Sequence, residues 1–120
     1  MATINNTGFF TLEAGEALEP NRRVKVNSSG KAVYADAADE WVGVTRESAA
    51  SGANVAIKGR YAPGTQVMTS TASTGSVGDI VWAAADGKFA SASSGAVGKV
   101  GYLSTAVTAA SSEVEIYPVN

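Results

Sequence analysis

The sequence predicts a mainly β protein: one small domain, a β-barrel or sandwich built from two hairpin-containing repeats, with an irregular N-terminal arm. Among its 120 residues valine outnumbers leucine 14 to 3, and the branched valine side chain suits a pleated sheet better than a helix. Apolar residues alternate with polar ones on both sides of glycine turns. A similar succession of turns and strands occurs twice along the chain, which indicates an internal repeat.

Two hairpins define the repeats. In "RRVKVNSSGKAVYAD" Val24 and Val26 alternate with polar residues before a Ser-Ser-Gly turn, and in "DIVWAAADGKFASAS" an Asp-Gly pair supplies a strong turn signal. Each hairpin is followed by a Val-Gly strand and a second alternating strand. Gly30 and Gly87 lie 57 positions apart, and Val55 and Val114 lie 59 apart. Small changes in loop length after a duplication explain why the spacing rises from 57 to 59.

The repeats divide the single domain (residues 1–120) into an arm (1–13), a first repeat (14–60), a connecting segment (61–77) and a second repeat (78–120). One four-stranded unit cannot close its own apolar face, so the two copies are expected to complete a core together. The predicted core residues are Val24, Val26, Val33, Val42, Val44, Val55, Ile57, Ile80, Val81, Phe89, Val100, Leu103, Val114 and Ile116.

Composition excludes several classes of function. The net charge is −2, whereas a nucleic-acid surface needs a basic face. The chain contains neither cysteine nor histidine, which removes thiolate and zinc–histidine sites and Ser-His-Asp catalysis. No apolar run is long enough to span a membrane and no secretion signal is recognisable. No cofactor and no enzymatic activity are expected.

The remaining motifs have simpler explanations than catalysis. Ser28 and Lys31 have the spacing of a serine–lysine acylase, but Gly30 places them in a hairpin turn. "GAVGKV" is too short between its glycines to be a phosphate loop. Lys31 and Lys88 at hairpin tips are reminiscent of lipoyl or biotinyl carrier domains, although both follow glycine instead of the carrier signature. Asp36, Asp39 and Glu40 could hold Ca²⁺, but a solvated turn is the simpler interpretation.

Several residues are candidates for partner contacts. Only six charged residues lie beyond residue 60, which suggests that a partner covers part of this half. Ile4, Phe9 and Phe10 belong to an arm that either holds a partner or plugs the end of the barrel. The pair Arg22 and Arg23 either bonds inside the domain or reaches a partner's carboxylates. Trp41 and Tyr61 complete this set of candidate contacts.

The chain resembles the small capsid cement, or decoration, proteins of tailed bacteriophages, in the group once catalogued as DUF2190-like. The resemblance covers about residues 14–120 and rests on two runs: "G-x-x-V-W/Y-x-x-x-x-G-K" at 78–88 and "VGV-x-x-x-x-A-x-x-G-x-x-V-x-I-x-G" at 42–59. An alternating apolar strand at 114–119 follows. These are patterns of turns and small residues, not a catalytic signature.

The resemblance implies a non-enzymatic virion protein, made in the bacterial cytoplasm, that binds the outer surface of a mature phage head and stabilises it. Its partner would be the major capsid protein, and it would act as a homotrimer. The alternative is a surface adhesion or glycan-binding module in which Trp41, Trp82 and Tyr61 form a stacking platform. Exposed, coplanar aromatic rings would favour the glycan module, and buried ones would favour the cement.

Overall fold

The computed structural model describes residues 8–71, 74–90 and 99–118. In these residues the chain forms ten strands arranged in two antiparallel sheets, which confirms the predicted β class. The first sheet has the order β1-β5-β4-β2-β3, and its strands are β1 (Phe9–Glu13), β2 (Arg23–Val26), β3 (Ala32–Tyr34), β4 (Gly43–Thr45) and β5 (Asn54–Gly59).

The second sheet has the order β6-β10-β9-β7-β8. Its strands are β6 (Gln66–Thr69), β7 (Ile80–Ala83), β8 (Phe89–Ala90), β9 (Lys99–Leu103) and β10 (Glu113–Pro118). A short 3-10 turn, Ala85–Gly87, joins β7 to β8. The molecule measures 44 × 27 × 23 Å, so it is distinctly longer in one direction.

The two sheets have the same topology, because the order of the second is that of the first with five added to every strand number. The irregular pairings repeat as well: Ala14 bridges Ala32 as Ser70 bridges Phe89, and Leu18 bridges Ala49 as Gly75 bridges Val107. Left-handed backbone positions also recur in equivalent pairs, namely Gly8 and Gly64, Asn21 and Gly78, Gly30 and Gly87, and Gly52 and Ser111. The repetition therefore extends to backbone conformation.

Strand β1 corrects the prediction of an irregular, non-repeating arm over its last residues. Residues 9–13 pair with β5 along their whole length, with Phe9 opposite Lys58 and Glu13 opposite Asn54. Strand β6 holds the same place beside β10 in the second sheet. The sequence did not reveal that β1 is equivalent to β6, because the two strands share a position in their sheets but little sequence. Residues 1–7, including Ile4, lie outside the described residues.

Each sheet curves around its own apolar face. The core of the first sheet consists of Ala14, Leu18, Val24, Ala32, Val55 and Ile57, with Phe10, Leu12, Tyr34 and Ala49 packed at its margin. The core of the second sheet continues onto the first, since Ala35, Trp41 and Val44 pack together with its own residues. Those residues are Met68, Val81, Ala83, Phe89, Val100, Leu103, Val107, Val114 and Ile116.

Three residues predicted for the core are exposed: Val26 (44%), Val42 (37%) and Ile80 (39%). Ile80 and Val81 are consecutive in a strand, so their side chains point to opposite faces and only Val81 enters the core. Val26 ends β2 beside the turn, and Val42 precedes β4 at the rim of the sheet. Val33 is half-buried, and the other ten predicted core residues are buried.

Candidate interaction surface

A groove at one end of the first sheet brings together two of the predicted contact residues. It has a volume of about 380 Å³ and is lined by Gly8, Phe10, Val42, Gly59, Arg60, Tyr61, Ala62 and Pro63. Tyr61 is 69% exposed, whereas Phe10 is half-buried. The groove is therefore an apolar surface with one prominent aromatic ring on its wall.

Close backbone contacts build the floor of this groove. The Gly59 amide donates to the Gly8 carbonyl at 2.6 Å, and the Ala62 amide donates to the Gly59 carbonyl at 3.0 Å. A Cβ on Gly8 would lie 2.6 Å from the Cβ of Ala62, and the backbone of Gly8 has φ of 81°. Gly8 is required on both counts, since a side chain would collide and the left-handed conformation favours glycine.

Arg60 supports the aromatic wall. Its guanidinium carbon lies 4.7 Å from the centre of the Trp41 ring and 5.4 Å from that of Tyr61, and Nη1 donates to Glu40 at 2.7 Å. The Arg60 side chain is only 13% exposed, whereas that of Glu40 is 94% exposed. This partly buried cation–π arrangement holds the wall in place, and the Glu40 carboxylate offsets its charge.

Phe9 lies next to the groove but on the opposite face of β1 from Phe10. It is 43% exposed, and the guanidinium of Arg46 lies 4.9 Å from the centre of its ring. Because neighbouring residues in a strand alternate between faces, the two phenylalanines serve different surfaces. Phe10 packs against the core of the first sheet while Phe9 reaches solvent.

Arg23 is fully buried where the two sheets meet, and its guanidinium bonds within the chain. Nη2 donates to the carbonyls of Ala84 at 2.7 Å, Lys88 at 2.8 Å and Ala35 at 3.4 Å. Burial lowers the pKa of Arg23 to about 10, an effect that the nearby Asp36 carboxylate opposes, so the side chain is still cationic at neutral pH. Of the two alternatives predicted for this pair, Arg23 therefore bonds inside the domain and does not reach out to a partner's carboxylates.

Arg22 and Trp41 complete the predicted set. Arg22 is half-buried, stacks on Tyr34 at 5.3 Å and donates to the Asp86 carbonyl at 3.2 Å. Trp41 is 6% exposed and belongs to the shared core. Because Arg23 and Trp41 are buried, their side chains are not accessible to a capsid, which argues against both as capsid contacts.

The three carboxylates of the acidic cluster, Asp36, Asp39 and Glu40, bond to different partners. Asp39 accepts from the Lys25 ammonium and from the Asp36 amide, which together hold its pKa below its ordinary value, while the same hydrogen bond raises the pKa of Lys25. Asp36 accepts from the amide of Asp86, and Glu40 pairs with Arg60. Within residues 8–71, 74–90 and 99–118, no group of three potential ligands could hold a metal ion.

Two smaller depressions lie between the sheets. One of about 160 Å³ is lined by Asn21, Val44, Thr45, Arg46, Lys58, Thr65, Gln66 and Val67, and one of about 50 Å³ lies beside Trp41 and Arg60. Across the described chain there is no helix long and apolar enough to cross a bilayer. The groove beside Tyr61 is the larger and more apolar surface and is the candidate interaction site.

Comparison with known proteins supports the fold. The chain superposes on the crystal structure of the head fiber gp8.5 N base of bacteriophage phi29 with a TM-score of 0.70, over 92% of each chain and at 14% sequence identity. The chain shares this fold. No family model and no curated protein matches it, so the DUF2190-like resemblance has no support from a family match.

Two features of this surface, and one of the second sheet, escaped sequence reasoning. Arg60 was not recognised as the support of Tyr61, although the two are adjacent. Val42 was assigned to the core but lines the groove. The outward position of Tyr117 could have been predicted, because it follows Glu113 and Glu115 in the alternation of β10 while Val114 and Ile116 are buried.

Proposed function

We propose that this chain is a structural protein of a phage head, specifically a decoration protein that binds the outer capsid surface and stabilises the mature lattice. The observation that carries the proposal is the exposed Tyr61 ring beside an apolar groove, held in place by Arg60. Tyrosine and arginine are the residues most often found at the energetic centre of protein interfaces.

The shared fold with the phi29 head fiber base supports a role on a phage head. The low charge beyond residue 60 fits a protein with a face covered by neighbours. As a homotrimer, the protein would present three grooves to the major capsid protein. Binding the mature lattice in preference to its precursor would stabilise it by mass action, and several linked contacts would strengthen attachment.

The burial of Trp41 removes the platform on which the glycan-binding alternative depends. Its ring belongs to the shared core and is covered by the Arg60 guanidinium, so it cannot form one open plane with Trp82 and Tyr61. The structure of the described residues therefore favours the decoration protein over the glycan-binding module.

The test is co-sedimentation of the purified chain with emptied, mature heads of the phage that encodes it. We expect stoichiometric binding by the natural chain and at least tenfold weaker binding by Tyr61→Ala, since truncation of a central interface residue costs about 2 kcal/mol or more. Val77→Ala, at another strongly exposed position (65%), is the matched control and should bind normally. A natural chain that stays in the supernatant would overturn the proposal, and equal binding by Tyr61→Ala would remove the groove from it.

A further inference from the structure

The outward faces of the two sheets carry equivalent rows of three residues in very different surroundings. In the first sheet Arg23 is opposite Val44, which is opposite Lys58. In the second sheet Ile80 is opposite Tyr102, which is opposite Tyr117. The identical strand order makes the two rows equivalent.

The second sheet covers the row on the first. Arg23 donates to the carbonyls of Ala84 and Lys88, and Lys58 donates to that of Thr65. As a result Arg23 and Val44 are 0% and 2% exposed. This row is thus covered by the hairpin turn of the other repeat and by Thr65, the residue that precedes its first strand β6.

The equivalent row on the second sheet is open. Tyr117 is 54% exposed, Ile80 is 39% exposed and Tyr102 is half-buried. Val67, opposite Glu115 on the same face, is 42% exposed. Large apolar and aromatic side chains therefore form an open row on this face, a composition typical of the centre of a protein interface. The equivalents of Ile80 and Tyr102 in the first sheet, Arg23 and Val44, are buried.

The first sheet has a free copy of the surface that would cover this row. Its hairpin turn, residues 27–31, is equivalent to residues 84–88, and in both turns the first amide donates to the last carbonyl at 2.9 Å. A Cβ on Gly87 would lie 3.0 Å from the Cβ of Arg22, whereas one on Gly30 would meet nothing within 4 Å. The contact between the repeats is head-to-tail, because it joins the outward row of the first sheet to the turn of the second sheet. The turn of the first sheet and the outward row of the second sheet therefore have no partner repeat within the chain.

We propose that a second copy of the chain docks on the outward row Ile80–Tyr102–Tyr117 through its residue 27–31 turn, repeating between molecules the contact that joins the two sheets within one. Phe9, equivalent in position to Thr65, would then approach Tyr117 of the neighbouring copy. Such contacts close into a ring or continue as a filament. The inference deepens the proposed trimer by assigning its interface.

The absence of cysteine in the chain permits a direct cross-linking test. The double variant Ser29→Cys/Asp79→Cys, treated with a short bis-maleimide, should form covalent multimers. The equivalent pair within one chain, Arg22→Cys/Asp86→Cys, is the positive control and should form an intramolecular link, since the Arg22 guanidinium lies 3.2 Å from the Asp86 carbonyl. Ser51→Cys/Asp79→Cys, with its first thiol on a different exposed turn, should remain uncross-linked.

The cross-linking is performed both free in solution and on pelleted heads. Covalent multimers from the Ser29/Asp79 pair in either state support the interface, and Ile80→Glu added to that pair should reduce their yield at least tenfold. No multimers in both states, or equal yield from the Ser51 pair, would overturn it. A chain that sediments with heads but fails to cross-link defeats this inference alone, whereas one that cross-links but ignores heads defeats only the proposed function.

Discussion

At the scale of single residues, Arg23 is the side chain that most directly joins the two repeats. Three carbonyls accept from its Nη2, two of them from the turn of the second sheet. Arg23→Met preserves much of the volume but leaves carbonyl groups without a donor, so we expect the free energy of unfolding to fall by about 1–3 kcal/mol. Urea denaturation followed by circular dichroism measures the change. Arg22→Met, which removes one longer bond at a half-buried side chain, should cost clearly less, and equal losses would contradict this account.

Gly101 is a second residue with a specific structural requirement. A Cβ at this position would collide with the backbone carbonyl of Tyr117 on the neighbouring strand. Because backbone cannot move aside easily, Gly101→Ala should destabilise the fold by about 1–3 kcal/mol. At Gly75 a Cβ would instead meet the end of the Leu103 side chain at 2.8 Å, which can rotate away. Gly75→Ala should therefore lower the melting temperature less than Gly101→Ala does. A lower melting temperature for Gly75→Ala than for Gly101→Ala would contradict this prediction.

At the scale of strands, Glu115 links β10 to the segments on either side of it. Its carboxylate accepts from Thr65 at 2.7 Å and from Ser104 at 3.0 Å, and these hydrogen bonds hold its pKa below the ordinary value. A carboxyl with a lowered folded-state pKa stabilises the fold above its unfolded pKa, about 4.3 for glutamate, and the contribution is lost as pH falls through the folded value.

We therefore expect stability to decline as pH falls from about 5 to 3, and Glu115→Gln to make that decline shallower. Urea midpoints measured at several pH values give the slope. Glu113→Gln, an exposed position on the same strand, is the matched control and should leave the slope close to that of the natural chain. A Glu115→Gln variant with an unaltered slope would show that the two hydroxyl bonds contribute little.

The pairing of β1 with β5 makes a deletion unsuitable for testing whether the N-terminal segment contacts a partner. Deletion of residues 1–12 would remove most of a strand that pairs with β5 along its full length, and would uncover apolar side chains of the first core. Loss of capsid binding in such a deletion would therefore reflect unfolding as much as lost contacts. Point changes at Phe9 or Tyr61, whose side chains reach solvent, separate binding from folding.

At the scale of the whole molecule, the two repeats should unfold together. The core of the second sheet includes Ala35, Trp41 and Val44 from the first, and separating the sheets would expose these together with the Arg23 cation. We expect a single cooperative transition in which the fluorescence of Trp41 and Trp82 coincides with the loss of circular dichroism. Two resolved transitions would show that the repeats are independent units and that the shared core is weak.

Sequence reasoning determined the β class, the turns and most of the core because these depend on local chemistry. Valine content, alternation and the glycine turns reveal strands and faces wherever one face is buried. The repeat itself was revealed by nearly equal spacings between matching residues, 57 positions from Gly30 to Gly87 and 59 from Val55 to Val114. The exposure of Ile80 could also have been predicted, since Ile80 is the neighbour of the buried Val81 in one strand.

Only the tertiary structure decided what each outward face meets. Arg23 and Ile80 occupy equivalent positions, yet the first is buried beneath the second sheet and the second reaches solvent. That difference depends on how one repeat stacks on the other, over contacts between residues about 60 positions apart. Strand β1 was hidden for the same reason: pairing with β5 is a long-range hydrogen-bond pattern, and no local signal in its sequence specifies a partner more than 40 residues away.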